Sequence, residues 1–283
     1  MVKSPIIFPS LQKTYISLST CFGLWSGMTD VNHHSNGVIP VLIPPELIDH
    51  IFSFLRGDRL ALEECSKAHP IFSSIAEPYL YADVLLPMNY KMAFYKQLSE
   101  NPHILKFPRT LEFRLSGHDF PSCPSEPEVL LIMSMVPRMA NLISLTLANK
   151  WPYRLNEDFI STFKTCFRQS TIEELCLESF RDFPLSILDG KAIKKLTFSD
   201  CTAKREDESV FALGASHQSL ETLIIRSYHN PDLLLWASYR ATSLTTLELR
   251  DSSRPHLRDF AQLLRACSKT LTRLHLDVDS RRM

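Results

Sequence analysis

Apolar and polar positions change rhythm once the chain passes Pro87. Between Ile43 and Tyr81 they recur at helical spacing; beyond Pro87 they fall into short alternating runs that keep returning. In the first helical stretch, Glu46, Asp49, His50 and Ser53 share one polar stripe about 100° wide. Leu47, Ile48, Ile51, Phe52, Phe54 and Leu55 fill roughly 160° of the remainder, wider than the ~100° stripe a surface helix buries. Pro44-Pro45-Glu46 suits the start of this helix, and Gly57 its left-handed end. Asp58 predicts the cap of a second helix over "RLALEECSKAH", which Pro70 opposes continuing. A third helix is expected in "IFSSIAEPYLY", with Ile71, Phe72, Ile75, Tyr79 and Leu80 on one side. A segment this short is near the ~40-residue size below which a chain needs outside help to stay folded. Its wide apolar arc therefore needs a second cover, from the rest of the chain or from a partner, and periodicity alone does not separate the two.

After Pro87 an L-x-x-L-x-L-like motif occurs seven times, as "TLEFRL" from Thr110, "LISLTL" from Leu142, "IEELCL" from Ile172, "IKKLTF" from Ile193, "LETLII" from Leu220, "LTTLEL" from Leu244 and "LTRLHL" from Leu271. The starts are 32, 30, 21, 27, 24 and 27 residues apart, mostly inside or just above the ~20–29-residue period of leucine-rich repeats. Helix-like segments such as "EDFISTFKTCFRQ", "EDESVFALGASHQ" (206–218) and "HLRDFAQLLRACSK" lie between them. Repeated strand–turn–helix units stack into a parallel sheet on one side and helices on the other. The Asn or Cys that often stands eight residues after the motif start is matched only by Cys201, which predicts an irregular array with uneven curvature.

Residues 1–40 end in the turn-rich "MTDVNHHSNGVIP" and read as a poorly ordered leader. At the other end, "LTRLHLDVDSRRM" stops after a strand-like motif, an array either truncated or shielded at its end. Lys+Arg and Asp+Glu are equal at 31 each, so no electrostatic footprint for nucleic acid or an anionic membrane exists. No apolar run reaches the ~18 residues of a membrane span. Seven scattered cysteines without a C-x-x-C pair indicate reduced thiols and a cytosolic or nuclear setting. Only seven glycines occur, none clustered, which argues against a phosphate-cradling loop and a nucleotide-binding enzyme. No G-x-S-x-G or H-E-x-x-H motif is present, so neither catalysis nor a cofactor is expected. Cys65 and His69, four apart on a helix, have metal-ligand spacing but no further ligands near them; core packing is the expected role of Cys65. His33-His34 and the run "KREDE" from Lys204 read as solvated segments.

"IPPELIDHIFSFL" followed by "DRLALEECSKAHPIF" resembles the F-box, the three-helix docking module of ubiquitin-ligase substrate receptors, in its fungal form. The L-P-x-E-[LI] opening appears as Ile43 to Leu47, the apolar ladder as Leu47, Ile48, Ile51 and Leu55, and the Cys-Ser pair as Cys65-Ser66. The following Cys-Arg-x-Trp element stands here as His69, Pro70, Ile71 and Phe72, which keeps the aromatic but replaces Arg by Pro. The resemblance implies an α/β chain: a short three-helix F-box over 41–86, then an irregular leucine-rich-repeat solenoid over 87–283. It implies docking on a Skp-type adaptor, and through it a cullin scaffold, by Ile43, Pro44, Pro45, Leu47, Ile48, Ile51, Leu55, Leu60 and Phe72. A protein substrate would meet the open face of the sheet, where strand alternation places Glu174, Glu178, Lys195, Arg226, Glu248, Arg250 and Arg273. The alternative is a repeat-built binding scaffold unrelated to ubiquitin transfer, with residues 41–86 as its N-terminal cap.

Overall fold

The computed structural model describes residues 43–86, 91–115, 127–189, 191–204, 219–226, 231–250 and 257–277. The chain divides into two compact units, Met1–Ala76 and Glu77–Met283. That boundary falls ahead of the expected one after residue 86, because the strand that follows the third helix belongs to the repeats.

In the N-terminal unit, helix α1 spans Pro45–Phe54. Pro45 occupies the first turn, where its missing N–H is no loss, and the Pro44 carbonyl accepts from Leu47 and Ile48. The helix closes at Leu55, and Gly57 takes φ +100, a left-handed value that side chains resist. Helix α2, Arg59–Ala68, starts where the Asp58 carboxylate accepts from the Ala61 N–H at 3.0 Å. Helix α3, Pro70–Leu80, begins on Pro70 itself; the residue that stops α2 opens the next helix. Ile48, Phe52, Ala61, Leu62 and Cys65 are buried, and Phe52 meets Phe72 edge-on at 6.0 Å.

The second unit holds one all-parallel sheet of eight strands in chain order: β1 Asp83–Leu86, β2 Thr110–Leu115, β3 Ser144–Arg154, β4 Glu174–Arg181, β5 Lys195–Ser199, β6 Thr222–Arg226, β7 Thr246–Arg250 and β8 Arg273–Asp277. Five helices connect them among the described residues: α4 Lys91–Glu100, α5 Pro127–Met135, α6 Glu157–Gln169, α7 Pro231–Ser238 and α8 Leu257–Ala266. Sequential parallel pairing with helical returns makes this a stacked, solenoid-like α/β unit. Between β4 and β5, where motif starts are only 21 residues apart, the described return is a 3-10 turn, Leu185–Leu188. Such a turn rises more per residue than an α-helix and spans a short connection.

Two inner rows cross the whole sheet, one from Val84 to Leu274 and one from Leu86 to Leu276, through strand-to-strand registers such as Leu145↔Leu175 and Leu147↔Leu177. Both rows are buried as far as β7. The ladder also repeats a backbone detail at every junction: one carbonyl just before a strand accepts two successive N–H groups of the next repeat, as Ile143 O does from Glu173 and Glu174. Side chains before the motif add to it, Thr171 Oγ1 donating to Leu142 O at 2.6 Å and Thr270 Oγ1 to Leu244 O at 2.9 Å.

The register corrects one reading. Leu111, not Phe113, pairs with Leu145, so the first of the seven motifs starts at Pro108 rather than Thr110. A two-residue slip keeps every side chain on its own face, which is why the alternation still read correctly. An eighth copy precedes it in β1, and α4 follows that strand; neither was legible, since "YADVLL" lacks leucine at its first and fourth places. The segments expected to be helical at 206–218, and most of "KREDE", lie outside the described residues, as do residues 1–40.

Candidate functional site

Two surfaces stand out, one in each unit. On α1 the wide apolar arc resolves into two stripes. Ile48, Phe52 and Leu55 project together, the first two buried and Leu55 half-buried beyond the helix end. Leu47, Ile51 and Phe54, at i, i+4 and i+7, form a separate stripe about 60° wide at ~100° per residue. They are open to solvent at 50%, 45% and 76%. Leu60 on α2 and Ile71 on α3 are exposed as well. Five of the eleven large apolar side chains left open among the described residues therefore fall between Leu47 and Ile71. A stripe of open apolar side chains along one helix is the kind of feature by which helices dock, whereas a lone exposed leucine means little.

Of the nine residues expected to dock a partner, Pro44, Pro45, Leu47, Ile51 and Leu60 are exposed. Ile43, Leu55 and Phe72 are partly covered. Ile48 is a correction: at 3% exposure it presents no surface, because it lies on the buried side of α1 with Phe52. Phe72 spends its ring on Phe52 and on His69, whose centroid lies 5.8 Å away. Phe54 and Ile71 are exposed as well but were not among the nine, although the i, i+4, i+7 spacing from Leu47 was there to find Phe54.

The second surface is the outward face of the sheet. All seven charged residues expected there do lie on it, in three parallel rows set by the registers Glu174↔Lys195, Glu248↔His275 and Ser199↔Arg226↔Arg250. Glu174 and Arg273 are four strands apart, roughly 19 Å at ~4.8 Å per strand, so this is a broad surface and not a pocket. Much of its charge is satisfied within the face: Lys195 Nζ to Glu174 Oε2 at 3.6 Å, Arg250 Nε to Glu248 Oε1 at 2.6 Å, and Arg114 Nε to Glu112 Oε1 at 2.8 Å. Cys176 sits among them with Sγ 3.8 Å from Glu178 Oε1, and burial with that carboxylate pushes its thiol up to about 11. Cys201, donating to the Leu177 and Ser199 carbonyls, is pushed up to about 12 by burial. Thiols held that high stay protonated at neutral pH and are poor nucleophiles.

Cys65 is buried, its thiol raised first by desolvation, and His69 Nδ1 accepts from the Ile71 N–H at 3.2 Å. Their side chains serve packing and the start of α3. Among the described residues no three His, Cys, Asp or Glu side chains gather where a metal could sit, and no helix is long and apolar enough to cross a membrane. No protein-family model matches the chain, and no curated protein matches it.

Proposed function

We propose that the chain is the substrate-recognition subunit of a Skp–cullin–F-box ubiquitin ligase. The observation that carries this reading is the open stripe of Leu47, Ile51 and Phe54 on a helix that already buries its other apolar side. An amphipathic helix laying such a stripe into a partner's groove is a recurring recognition mode. The opening Ile43-Pro44-Pro45-Glu46-Leu47 and the Cys65-Ser66 pair, which resemble the F-box, give the partner its identity as a Skp-type adaptor. The stacked repeats then hold a target protein on their polar outward face, and the ligase acts on it through raised effective concentration, with no chemistry in this chain. The chain belongs in the cytoplasm or nucleus on this reading, where its thiols stay reduced.

Co-purification with a Skp-type adaptor tests the proposal. Wild type captures the adaptor, and the Ile51→Glu/Phe54→Ser variant loses capture by more than tenfold while its thermal unfolding stays unchanged. Equal capture by both forms, or none by wild type, refutes it. Deletion of residues 1–76 separates the competing scaffold reading: an adaptor-docking unit leaves a cooperatively folded repeat unit behind, whereas an N-terminal cap leaves it unfolded.

A further inference from the structure

The middle row of the sheet's outward face is recessed between its flanks. In register it runs Thr146, Cys176, Thr197 and Ile224 from β3 to β6, four strands without a charge. Thr197 is only 7% exposed although it lies on the outward face, and Thr146, Cys176 and Ile224 are half-buried. The row beside it carries Glu178, Ser199, Arg226 and Arg250, and both arginines stand exposed above that floor.

On β4 to β7 the unmatched donors of this face gather at one place. Arg226 makes no ion pair among the described residues, and its register partner is Arg250, a like charge that disfavours it. The hydroxyls of Thr197 and Ser199 likewise have no hydrogen-bond partner among the described residues. Of the acids nearby, Glu248 pairs with Arg250, Glu178 accepts from Cys176 Sγ, and Asp200 follows Ser199 without an ion pair to Arg226. Thr197 and Ser199 are two residues apart on β5, and Arg226 is the register partner of Ser199 on β6. At ~3.3 Å per residue and ~4.8 Å per strand, one oxyanion over Ser199 is within reach of all three.

Taking the outward face, as proposed above, to be the one that meets the target, we infer that Arg226 with the Thr197 and Ser199 hydroxyls receives an acidic side chain. That side chain belongs to an extended segment of the target protein lying across β3 to β6. A guanidinium grips a carboxylate or phosphate with two parallel N–H bonds, and the hydroxyls donate to the oxygens it leaves. The four-strand floor is roughly 14 Å long at ~4.8 Å per strand, room for about four residues of extended chain. Its uncharged side chains suit small neutral residues flanking the acid, whereas a basic residue would meet Arg226 and Arg250.

Selection of random decapeptides displayed on phage against the whole chain tests this. The expected peptides share an acid at one position, and the synthetic acid form binds at least tenfold tighter than its amide form. Arg226→Gln weakens the acid form at least tenfold and brings acid and amide within twofold of each other, while circular dichroism shows the fold kept. Thr197→Val weakens the acid form about fivefold, the scale of one hydrogen bond. A glutamate form and a phosphoserine form, compared on wild type, show by the tighter of the two which oxyanion the target supplies. Adaptor capture by Arg226→Gln is read separately and stays at the wild-type level, so a failed docking reading and a failed acid site are told apart. A selection without binders or without a shared acid overturns the inference. So does an acid-over-amide preference that survives Arg226→Gln.

Discussion

The helical and repeat units use apolar side chains in opposite ways. In the repeat unit the inner rows from Val84 to Leu249 are buried, and the outward face is polar and largely paired with itself. In the helical unit Ile48, Phe52 and Leu62 are buried, yet Leu47, Ile51, Phe54, Leu60 and Ile71 stay in water. A stack of repeats gains its core from its own neighbours, and its open apolar side chains, such as Leu85, Met92, Leu131 and Ile143, are scattered over strand, helix and loop positions. A three-helix segment has no neighbour of its own kind. The difference teaches that exposure on α1 is not a shortage of polar residues, since Glu46, Asp49, His50 and Ser53 fill a separate stripe of the same helix. An apolar stripe left open beside a well-formed buried one is the pattern that supports the docking proposed above.

The sharpest way to break that contrast is at the centre of the repeats. Phe163 on α6 is fully buried, stacked between Phe159 at 6.0 Å and Phe167 at 5.3 Å, with Phe183 edge-on at 6.4 Å. Phe163→Ala leaves a cavity that rigid neighbours on three sides cannot fill. It should cost about 3–5 kcal/mol of unfolding free energy, read from the urea midpoint of the repeat unit. A second break lies at Arg240, a buried guanidinium that pairs with Asp189 and stacks over Trp236 at 4.7 Å. Asp189→Ala strands that charge and should cost about 3 kcal/mol. Asp189→Leu/Arg240→Met should recover most of the loss, because the attraction within a buried pair is largely offset by the desolvation of its members.

How far the sequence reached follows from the same physics. The alternation in "LISLTL" and "LTTLEL" reports burial directly, one residue in and one out, so six of the seven motif registers and the outward placement of Glu174, Lys195 and Arg226 were legible. The first register slipped because Leu111, Phe113 and Leu115 are all apolar and two apart, so a shift of two residues costs the pattern nothing. Strand β1 escaped because Val84 and Leu86 carry the pattern over only four residues, too few to announce a repeat. On α1 the arc's total width was legible, but its division was not. Ile48 and Ile51 are the same residue type and differ only in which neighbours surround them, and periodicity cannot assign that. The pairing of Arg240 with Asp189, 51 residues apart in sequence, had no local signal at all.

Smaller effects sharpen the helical unit. Asp58 caps α2 through a single bond to Ala61 N, and Asp58→Ala should lower stability by about 1 kcal/mol, the usual cost of an N-cap. Thermal unfolding followed by helical dichroism on the N-terminal unit reads it, and Asp58→Asn should restore most of the loss because its amide oxygen can accept the same bond.

The smallest stability effect belongs to the most exposed apolar side chain. Phe54 is 76% open and touches His50 at a centroid distance of 4.8 Å, so its removal takes little from the folded chain. Phe54→Ser should change unfolding free energy by less than about 0.5 kcal/mol, the ordinary range for surface substitutions. Ile48→Ser, six residues earlier on the buried side of the same helix, deletes a closed aliphatic side chain and enters a hydroxyl in its place. It should cost about 3 kcal/mol. The pair of variants, compared in one urea titration, separates two meanings of apolar on a single helix. If Phe54→Ser destabilises as much as Ile48→Ser, the outward stripe is part of the core and no surface has been held in reserve. If only Ile48→Ser does, α1 buries one stripe for itself and keeps the other for a partner.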